Sequence, residues 1–173
     1  MKTDAPVAVT VHPQTKAVSE LNAASLPSGS VAVVASRYHA QIVENLIGGA
    51  VDEIRKAGVP AESIHLLRVP GAFEIPQTVA QVLSKMPDLI AVVTLGCVVR
   101  GETPHFDYVC GCCADGVAAL ARSQPVPVTL GVLTADTVAQ AEARSADDSH
   151  NKGREAAASA LELAALLAGL EAH

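Results

Sequence analysis

Tryptophan is absent from this chain of 173 residues, and only four aromatic side chains are present, at Tyr38, Phe73, Phe106 and Tyr108. Surfaces that bind single-stranded nucleic acid usually stack bases on more aromatic rings than these. Positive charge is also scarce, because 12 lysines and arginines stand against 18 acidic residues, for a net charge of -6. We therefore expect no nucleic-acid binding, and any anionic ligand must be held by a local cationic site.

Long apolar runs are missing too. No run approaches the length of a membrane-spanning helix, and the first residues lead into no apolar segment of the secretory type. We therefore expect a cytoplasmic protein without membrane contact. Half of the residues are hydrophobic, which argues against a disordered chain, and the length suits one domain with a sizeable core.

The common nucleotide and metal motifs are not found. The chain contains neither a G-x-x-x-x-G-K-[ST] phosphate loop nor a G-x-G-x-x-G fingerprint, and no histidine and cysteine pair has zinc-ligand spacing. Cysteine occurs only at positions 97, 110, 112 and 113. The C-x-C-C cluster leaves metal or redox chemistry open as an alternative. Buried cysteines that pack against their neighbours are favoured, since free cysteine is commonly buried.

What the chain does contain is an alternation of apolar strands and amphipathic helices. Apolar runs predict buried strands near residues 31–35, 63–69, 89–95 and 126–134, each followed by apolar residues at helical spacing. An alanine-rich segment predicts a last helix over about residues 152–170. This order is typical of a parallel sheet with helices on both faces. Residues 1–29, rich in proline and small polar residues, are interpreted as an N-terminal arm, and residues 30–173 as the domain.

One loop concentrates the reactive groups. Residues 95–108 read LGCVVRGETPHFDY and place a guanidinium, a carboxylate, a hydroxyl and an imidazole within residues 100–105. Loops after parallel strands lie at the carboxyl edge of the sheet, where such folds bind ligands, and a following helix start favours an anion such as phosphate. The turns at residues 38–39 and 72–74 open on the same edge. We expect all three turns to converge there.

Side chains in these turns could carry chemistry, and each has a structural alternative. His105 could transfer protons near neutral pH or could cap a helix. Glu74 could accept hydrogen bonds from a ligand or could favour a helix start. Arg100 could bind an anion, although a structural ion pair is favoured. Tyr38 could stack on a flat ring or fill a crevice.

The same stretches resemble the lumazine synthase family. The matching segments are SRYH at 36–39, VPGAFEIP at 69–76, residues 95–108, PVTLGVLT at 127–134 and NKG at 151–153. The resemblance covers roughly residues 30–168. It implies a flavodoxin-like α/β fold, a three-layer sandwich whose four-stranded parallel sheet is flanked by helices, with an extended N-terminal arm.

The resemblance also implies a reaction. In it, 5-amino-6-(D-ribitylamino)uracil condenses with 3,4-dihydroxy-2-butanone 4-phosphate to give 6,7-dimethyl-8-ribityllumazine, phosphate and water, the penultimate step of riboflavin biosynthesis. No cofactor and no metal are implied. A binding or shell protein that keeps the pocket without turnover stays open as an alternative, and a turnover assay would distinguish the two.

Roles for individual residues follow from the resemblance alone. The ribitylaminouracil would contact Tyr38, Ala72, Phe73, Glu74, Cys97, Val98, Val99, Leu130 and Lys152. The butanone phosphate would contact Glu102, Thr103 and Arg144. His105 would transfer protons, while Arg144 and Leu130 would come from a neighbouring subunit. Tyr38 stands where phenylalanine or tryptophan is usual, and Leu130 where many members have an aromatic residue.

The resemblance further implies a ring of five subunits. The connection between Arg144 and residues 151–153 is compact, which is typical of members whose pentamers form an icosahedral shell. Riboflavin synthase is the further partner that the resemblance suggests. Residues 7–11 alternate like a strand, so we expect the arm to lie along a neighbour's sheet edge.

Overall fold

The structure is a computed structural model that describes residues 17–22 and 24–171. Its core is a four-stranded sheet in the order β2-β1-β3-β4, and all neighbouring pairs are parallel. The strands are β1 (Ser30–Ser36), β2 (Ile64–Val69), β3 (Leu89–Val99) and β4 (Val128–Ala135). The α-helices are α1 (Ala40–Lys56), α2 (Ile75–Lys85), α3 (His105–Ser123), α4 (Val138–Ser145) and α5 (Lys152–Glu171). The predicted three-layer α/β fold is confirmed.

Both faces of the sheet are buried, which explains why its strands are continuously hydrophobic. Every residue of β1 is buried. Successive side chains of a strand point to opposite faces. Val31 and Val33 accordingly pack in the core with α1, α4 and α5, whereas Ala32 and Val34 pack with α2 and α3. Covered faces of this kind are characteristic of parallel sheets.

Local signals in the sequence account for several helix boundaries. Gly58 has a φ of 93° just beyond α1, a left-handed conformation that glycine adopts without a steric penalty. Pro76 lies in the first turn of α2, where its missing amide hydrogen is not needed. Thr137 caps α4, because its Oγ1 accepts a hydrogen bond from the amide of Gln140 at 3.2 Å.

The strand boundaries lie within two residues of the prediction except at the end of β3, and that difference concerns the site. The sequence suggests that the third strand ends at Leu95, but β3 continues to Val99 because its pairing with β4 extends to Val99 opposite Ala135. Residues 97–99 therefore belong to a strand. The loop shortens to residues 100–104, and α3 starts immediately after it.

The described part of the N-terminal segment packs against α5. The amide of Val18 donates to Oε1 of Glu162 at 2.6 Å. Leu21 is buried in the core that α1 and α5 share. The strand predicted over residues 7–11 lies outside the described residues. The division into an arm of residues 1–29 and a domain of residues 30–173 stays a prediction.

Candidate active site

The carboxyl ends of β1, β2 and β3 open into a cleft of about 570 Å³. Turns that follow these strands form its walls together with the first turn of α3, as expected for the ligand site of an open parallel sheet. The lining residues are Tyr38, His39, Gly71, Ala72, Phe73, Glu74, Cys97, Val98, Val99, His105 and Val109. The predicted convergence of three strand-to-helix turns is confirmed.

The turn between β1 and α1 gives the cleft one wall. His39 has a φ of 54° and a ψ of 53°, and no other residue except glycine has a positive φ within residues 17–22 and 24–171. A left-handed conformation of this kind costs about 1–3 kcal/mol and occurs often at functional sites. Tyr38, beside it, is 70% exposed, so most of its ring is available to a flat ligand.

The turn between β2 and α2 supplies a carboxylate. Ala72–Glu74 forms a single 3-10 turn that runs into α2. Oε2 of Glu74 accepts a hydrogen bond from the amide of Gly71 at 2.8 Å, which orients the carboxylate. Oε1 has no partner in the part of the chain that the structure describes. One oxygen thus supports the start of the helix, as one interpretation of Glu74 expects, and the other is available to a ligand.

The end of β3 forms an apolar part of the lining. Val98 and Val99 are half-buried, and Cys97 is buried. Burial raises the pKa of the Cys97 thiol from 9.0 to about 11. The thiol therefore stays protonated near neutral pH, and it offers the cleft a small apolar surface and not a nucleophile.

Arg100 links the end of β3 to two other elements. Its Nε donates to Oδ1 of Asp136 at 2.9 Å, and its Nη1 donates to Oδ1 of Asp107 at 3.2 Å. The guanidinium carbon lies 4.1 Å from the centroid of the Phe106 ring. The hydrogen bond to Asp136, with a further contribution from Asp107, raises the pKa of Arg100. The structural interpretation of Arg100 is confirmed, because the two carboxylates already engage its Nε and Nη1.

The short loop after Arg100 leaves an anion-binding position open. No side chain caps the N-terminus of α3, so its first amides have no side-chain partner. Such amides bind anions well. Glu102 and Thr103 lie in the exposed loop, and His105, the first residue of α3, lines the cleft. A proton-transfer group thus adjoins both an apolar cleft and a helix N-terminus.

Three of the predicted site residues lie elsewhere. Leu130, Arg144 and Lys152 line a separate cleft of about 590 Å³ formed by β4, α4 and α5, and no residue lines both clefts. Nη1 of Arg144 donates to the carbonyl of Gln140 at 2.9 Å, and Nζ of Lys152 pairs with Glu155. Leu130 is 49% exposed on β4, an edge strand of the sheet. The chain therefore places most of the predicted contacts in two separate clefts, while Glu102 and Thr103 lie in the exposed loop and line neither.

Three lining residues of the first cleft were not among the predicted contacts: His39, Gly71 and Val109. His39 shares its turn with Tyr38, and Val109 follows His105 by one helical turn, so it lies on the same face of α3. Both could be found from the turn positions and the helical period. The packing of Gly71 depends on the tertiary structure, which brings the ring of Tyr38 to within 3.5 Å of where its Cβ would be.

The cysteine cluster lies on α3 and faces different ways. Cys113 is buried, Cys110 is half-buried and Cys112 is exposed. The expectation of buried cysteines is therefore wrong for Cys112, because neighbouring residues of a helix point about 100° apart. Within the described ranges, no group of three or more histidine, cysteine, aspartate or glutamate side chains is arranged to hold a metal ion.

Comparison with known protein families places the chain in a family. A family model described as 6,7-dimethyl-8-ribityllumazine synthase matches residues 28–168. This range holds all four strands, α1 to α4 and most of α5. It also includes every lining residue of both clefts.

Proposed function

Because the chain belongs to the 6,7-dimethyl-8-ribityllumazine synthase family, we propose that its two clefts are halves of one active site shared between neighbouring subunits. The enzyme condenses 5-amino-6-(D-ribitylamino)uracil with 3,4-dihydroxy-2-butanone 4-phosphate in riboflavin biosynthesis. The observation that carries the shared site is the division of the expected contacts. Most line the cleft at the sheet edge, whereas Leu130, Arg144 and Lys152 line the cleft beside β4.

The cleft at the sheet edge suits the ribitylaminouracil. Its pyrimidine ring would lie against Tyr38 and the apolar end of β3, where Val98 and Val99 are half-buried. The ribityl hydroxyls are donors, and Oε1 of Glu74 is an acceptor without a partner in the described chain. Ala72 and Phe73, in the same turn, would line the path of the ribityl chain. Leu130 and Lys152 of a neighbouring subunit would close the pocket.

The loop and the neighbouring subunit suit the phosphate of the second substrate. Glu102 and Thr103 precede the uncapped start of α3, whose amides favour an anion. Arg144 is exposed and donates only to a backbone carbonyl, so no carboxylate of the described chain neutralises it. A guanidinium of this kind can hold phosphate through paired hydrogen bonds. The phosphate would thus lie between the loop of one subunit and Arg144 of the next.

His105 is the residue proposed to move protons. The amine of the pyrimidine attacks the butanone carbonyl, and a first water leaves as the imine forms. Phosphate is then eliminated. The ribitylamino nitrogen attacks the remaining carbonyl, and a second water leaves as the ring closes. These steps need protons to be removed and returned, which an imidazole can do near neutral pH. His105 lines the cleft and adjoins the phosphate loop, so it can reach both substrates. Holding the two substrates together supplies further acceleration.

A site built from two different surface regions also favours a ring-shaped assembly of subunits. When one region of a subunit contacts a different region of the next, the contact is heterologous, and it closes into a ring where the rotation between subunits is a simple fraction of a turn. The number five and the icosahedral shell come from the resemblance. Riboflavin synthase, which acts on the product, is the proposed partner on the same ground.

The proposed location is the cytoplasm. All four cysteines are free thiols, as is usual in reducing compartments. As a separate finding, none of the helices over residues 17–22 and 24–171 is both long and apolar enough to cross a membrane.

Mixed assembly tests the shared site. Glu74→Ala damages the cleft at the sheet edge, and Arg144→Ala damages the cleft beside β4, so each variant alone should lose most activity. When the two chains are unfolded together and reassembled, about a quarter of the interfaces should combine two intact halves and recover activity.

A matched mixture provides the control. Glu74→Ala and His105→Ala both damage the same cleft, so their mixture contains no intact site and should recover nothing. Equal recovery in the two mixtures, or none in either, would show that the site is not shared in this way.

A further inference from the structure

The turn that carries Tyr38 and His39 is held by few contacts of its own. The amide of Arg37 donates to the carbonyl of Pro70 at a long 3.4 Å, and one edge of the Tyr38 ring lies near Gly71. Residues 37–39 are all that join β1 to α1, and His39 adopts a left-handed conformation that most residues avoid. No side chain caps α1 at this end. Tyr38 is mostly exposed, so packing does little to hold its ring. Such a conformation persists only where the surrounding structure enforces it.

Arg68, on the neighbouring strand β2, adds two side-chain contacts to this restraint. Its Nη2 donates to the carbonyl of Ser36, the last residue of β1, at 3.2 Å. Its Nη1 pairs with Oε1 of Glu44, in α1, at 2.5 Å. One guanidinium therefore links the strand before the turn to the helix after it.

Both contacts depend on the shape of arginine. A guanidinium donates in two directions from a rigid plane, whereas a lysine ammonium is a single point charge. The Nε atom of Arg68 is buried and has no hydrogen-bond partner in the described residues. An unpaired buried donor is destabilising. Stability alone therefore does not explain an arginine here, but its hold on both ends of the turn does.

We propose that Arg68, with Glu44, is a positioning residue that holds Tyr38 and His39 in place for substrate binding. Neither Arg68 nor Glu44 lines the cleft, so both would act through the turn. The inference rests on the proposed function, since it takes Tyr38 to contact the pyrimidine.

Kinetics separate positioning from a general structural role. Arg68→Met keeps a side chain of similar length and removes both contacts. It should raise KM for the ribitylaminouracil about fivefold to tenfold, while kcat and KM for the butanone phosphate change by less than about twofold. Arg68→Lys retains the charge and one contact, so it should recover part of the loss. Glu44→Gln keeps an acceptor oxygen and should have a smaller effect.

A second measurement does not need turnover. The chain has no tryptophan and only two tyrosines, so Tyr38 is the sole tyrosine fluorophore in a Tyr108→Phe background. Time-resolved fluorescence anisotropy then reports how far its ring moves. In this background, Arg68→Met should increase the fast local depolarisation, and saturating ribitylaminouracil should reverse the increase.

The control removes an ion pair from the other end of the same helix. Lys56 lies 3.7 Å from Glu53 and is well exposed, so Lys56→Met should leave both KM values and the anisotropy unchanged. If Arg68→Met lowers only the melting temperature, or lowers kcat while KM and anisotropy stay the same, the proposal is wrong. If the unmodified chain does not turn over, the proposed function fails, and the anisotropy still decides whether Arg68 positions Tyr38.

Discussion

Single side chains in the cleft differ in how far the fold already uses their polar atoms. Arg100 donates from Nε to Asp136 and from Nη1 to Asp107. Glu74 gives one carboxylate oxygen to the amide of Gly71. The imidazole of His105 makes no hydrogen bond within the described chain. Polar atoms without a partner in the fold can meet substrate at no cost to stability, so His105 and the second oxygen of Glu74 are the best placed to act on it.

Replacing His105 tests the proton-transfer role. His105→Ala should slow product formation by about 100-fold, the low end of what general acid–base catalysis contributes, because the two substrates are already reactive. The melting temperature should stay close to that of the unmodified protein, since the side chain is exposed. His150→Ala removes another exposed histidine, away from both clefts, and should keep full activity. A steady-state rate unaffected by His105→Ala would contradict the role.

The buried thiol of Cys113 should make the free energy of unfolding decrease at alkaline pH. Burial, with smaller contributions from Cys110 and Cys112, raises its pKa from 9.0 to about 11. Above pH 9, the unfolded chain loses this proton before the folded chain does, so this contribution to stability is complete below pH 9 and declines toward pH 11. In urea unfolding from about pH 8 to about pH 11, Cys113→Ala should lose less stability than the unmodified protein.

Cys112→Ala is the matched control for this measurement, because Cys112 is exposed on the same helix. Its stability should fall with pH as steeply as that of the unmodified protein. Parallel pH curves for the Cys113 variant and the unmodified protein would mean that its thiol does not contribute.

Among the elements, α1 and the start of α5 approach so closely that Gly49 and Gly153 leave no room for a side chain. A Cβ atom at Gly153 would overlap the backbone carbonyl of Leu46, and one at Gly49 would overlap Oδ1 of Asn151. Asn151 cannot move aside, because its side chain is buried and hydrogen-bonded at both ends. Nδ2 donates to the carbonyls of Asn45, Ser145 and Ala146, and Oδ1 accepts from the amides of Gly153 and Arg154. The amide thereby joins α1 to the segments that carry Arg144 and Lys152.

Two adjacent glycines in α1 allow a matched test of this contact. Gly49→Ala should lower the free energy of unfolding by about 1–3 kcal/mol, because the new methyl group meets a side chain that is held in place. A methyl group at Gly48 would meet nothing within 4 Å. Gly48→Ala should therefore raise the free energy of unfolding by about 0.5–1 kcal/mol through helix propensity. Chemical denaturation measures both, and shifts in the same direction would contradict this account of the α1–α5 contact.

For the whole molecule, the surface carries apolar groups that suit a second copy. Tyr38, Phe73 and Leu130 are all exposed, although they line the two clefts. Exposed apolar patches of this kind usually mark interaction sites. A contact that joins the cleft at the sheet edge to the cleft beside β4 would cover all three side chains. It would also explain why the two halves of the proposed site form separate clefts in a single chain.

Light scattering and electron microscopy near neutral pH test the assembly. The smallest active particle should have five times the 17.7 kDa mass of the chain, and larger shells should form from it. Added salt should favour the shells, because it screens the like charges of Asp147 and Asp148 in the compact connection before α5. Particles no larger than a pentamer across a range of salt and phosphate would refute the shell. A fully active monomer would refute the shared site.

Features that depend on a few neighbouring residues could be read from the sequence. Examples are the apolar run of β1, the glycine after α1, the proline in α2 and the cap at Thr137. Each involves only residues that are close together in the chain, so its effect does not depend on the rest of the fold. The order of strands and helices predicted the parallel sheet, and the resemblance supplied the contacts to look for. The convergence of three turns followed from the geometry that parallel sheets share.

Other features arise only when distant parts of the chain meet. β3 extends to Val99 because β4 pairs with it, and that pairing is absent from the apolar pattern of β3 itself. Arg68 contacts Ser36 on the neighbouring strand, 32 residues away in the chain, and no local signal marks that contact. The separation of Leu130, Arg144 and Lys152 from the rest of the predicted site likewise depends on how β4, α4 and α5 pack. Local propensity depends on residues that are neighbours in the chain. Strand register, long-range side-chain contacts and the division of the site between two clefts depend on which distant segments the folded core brings together.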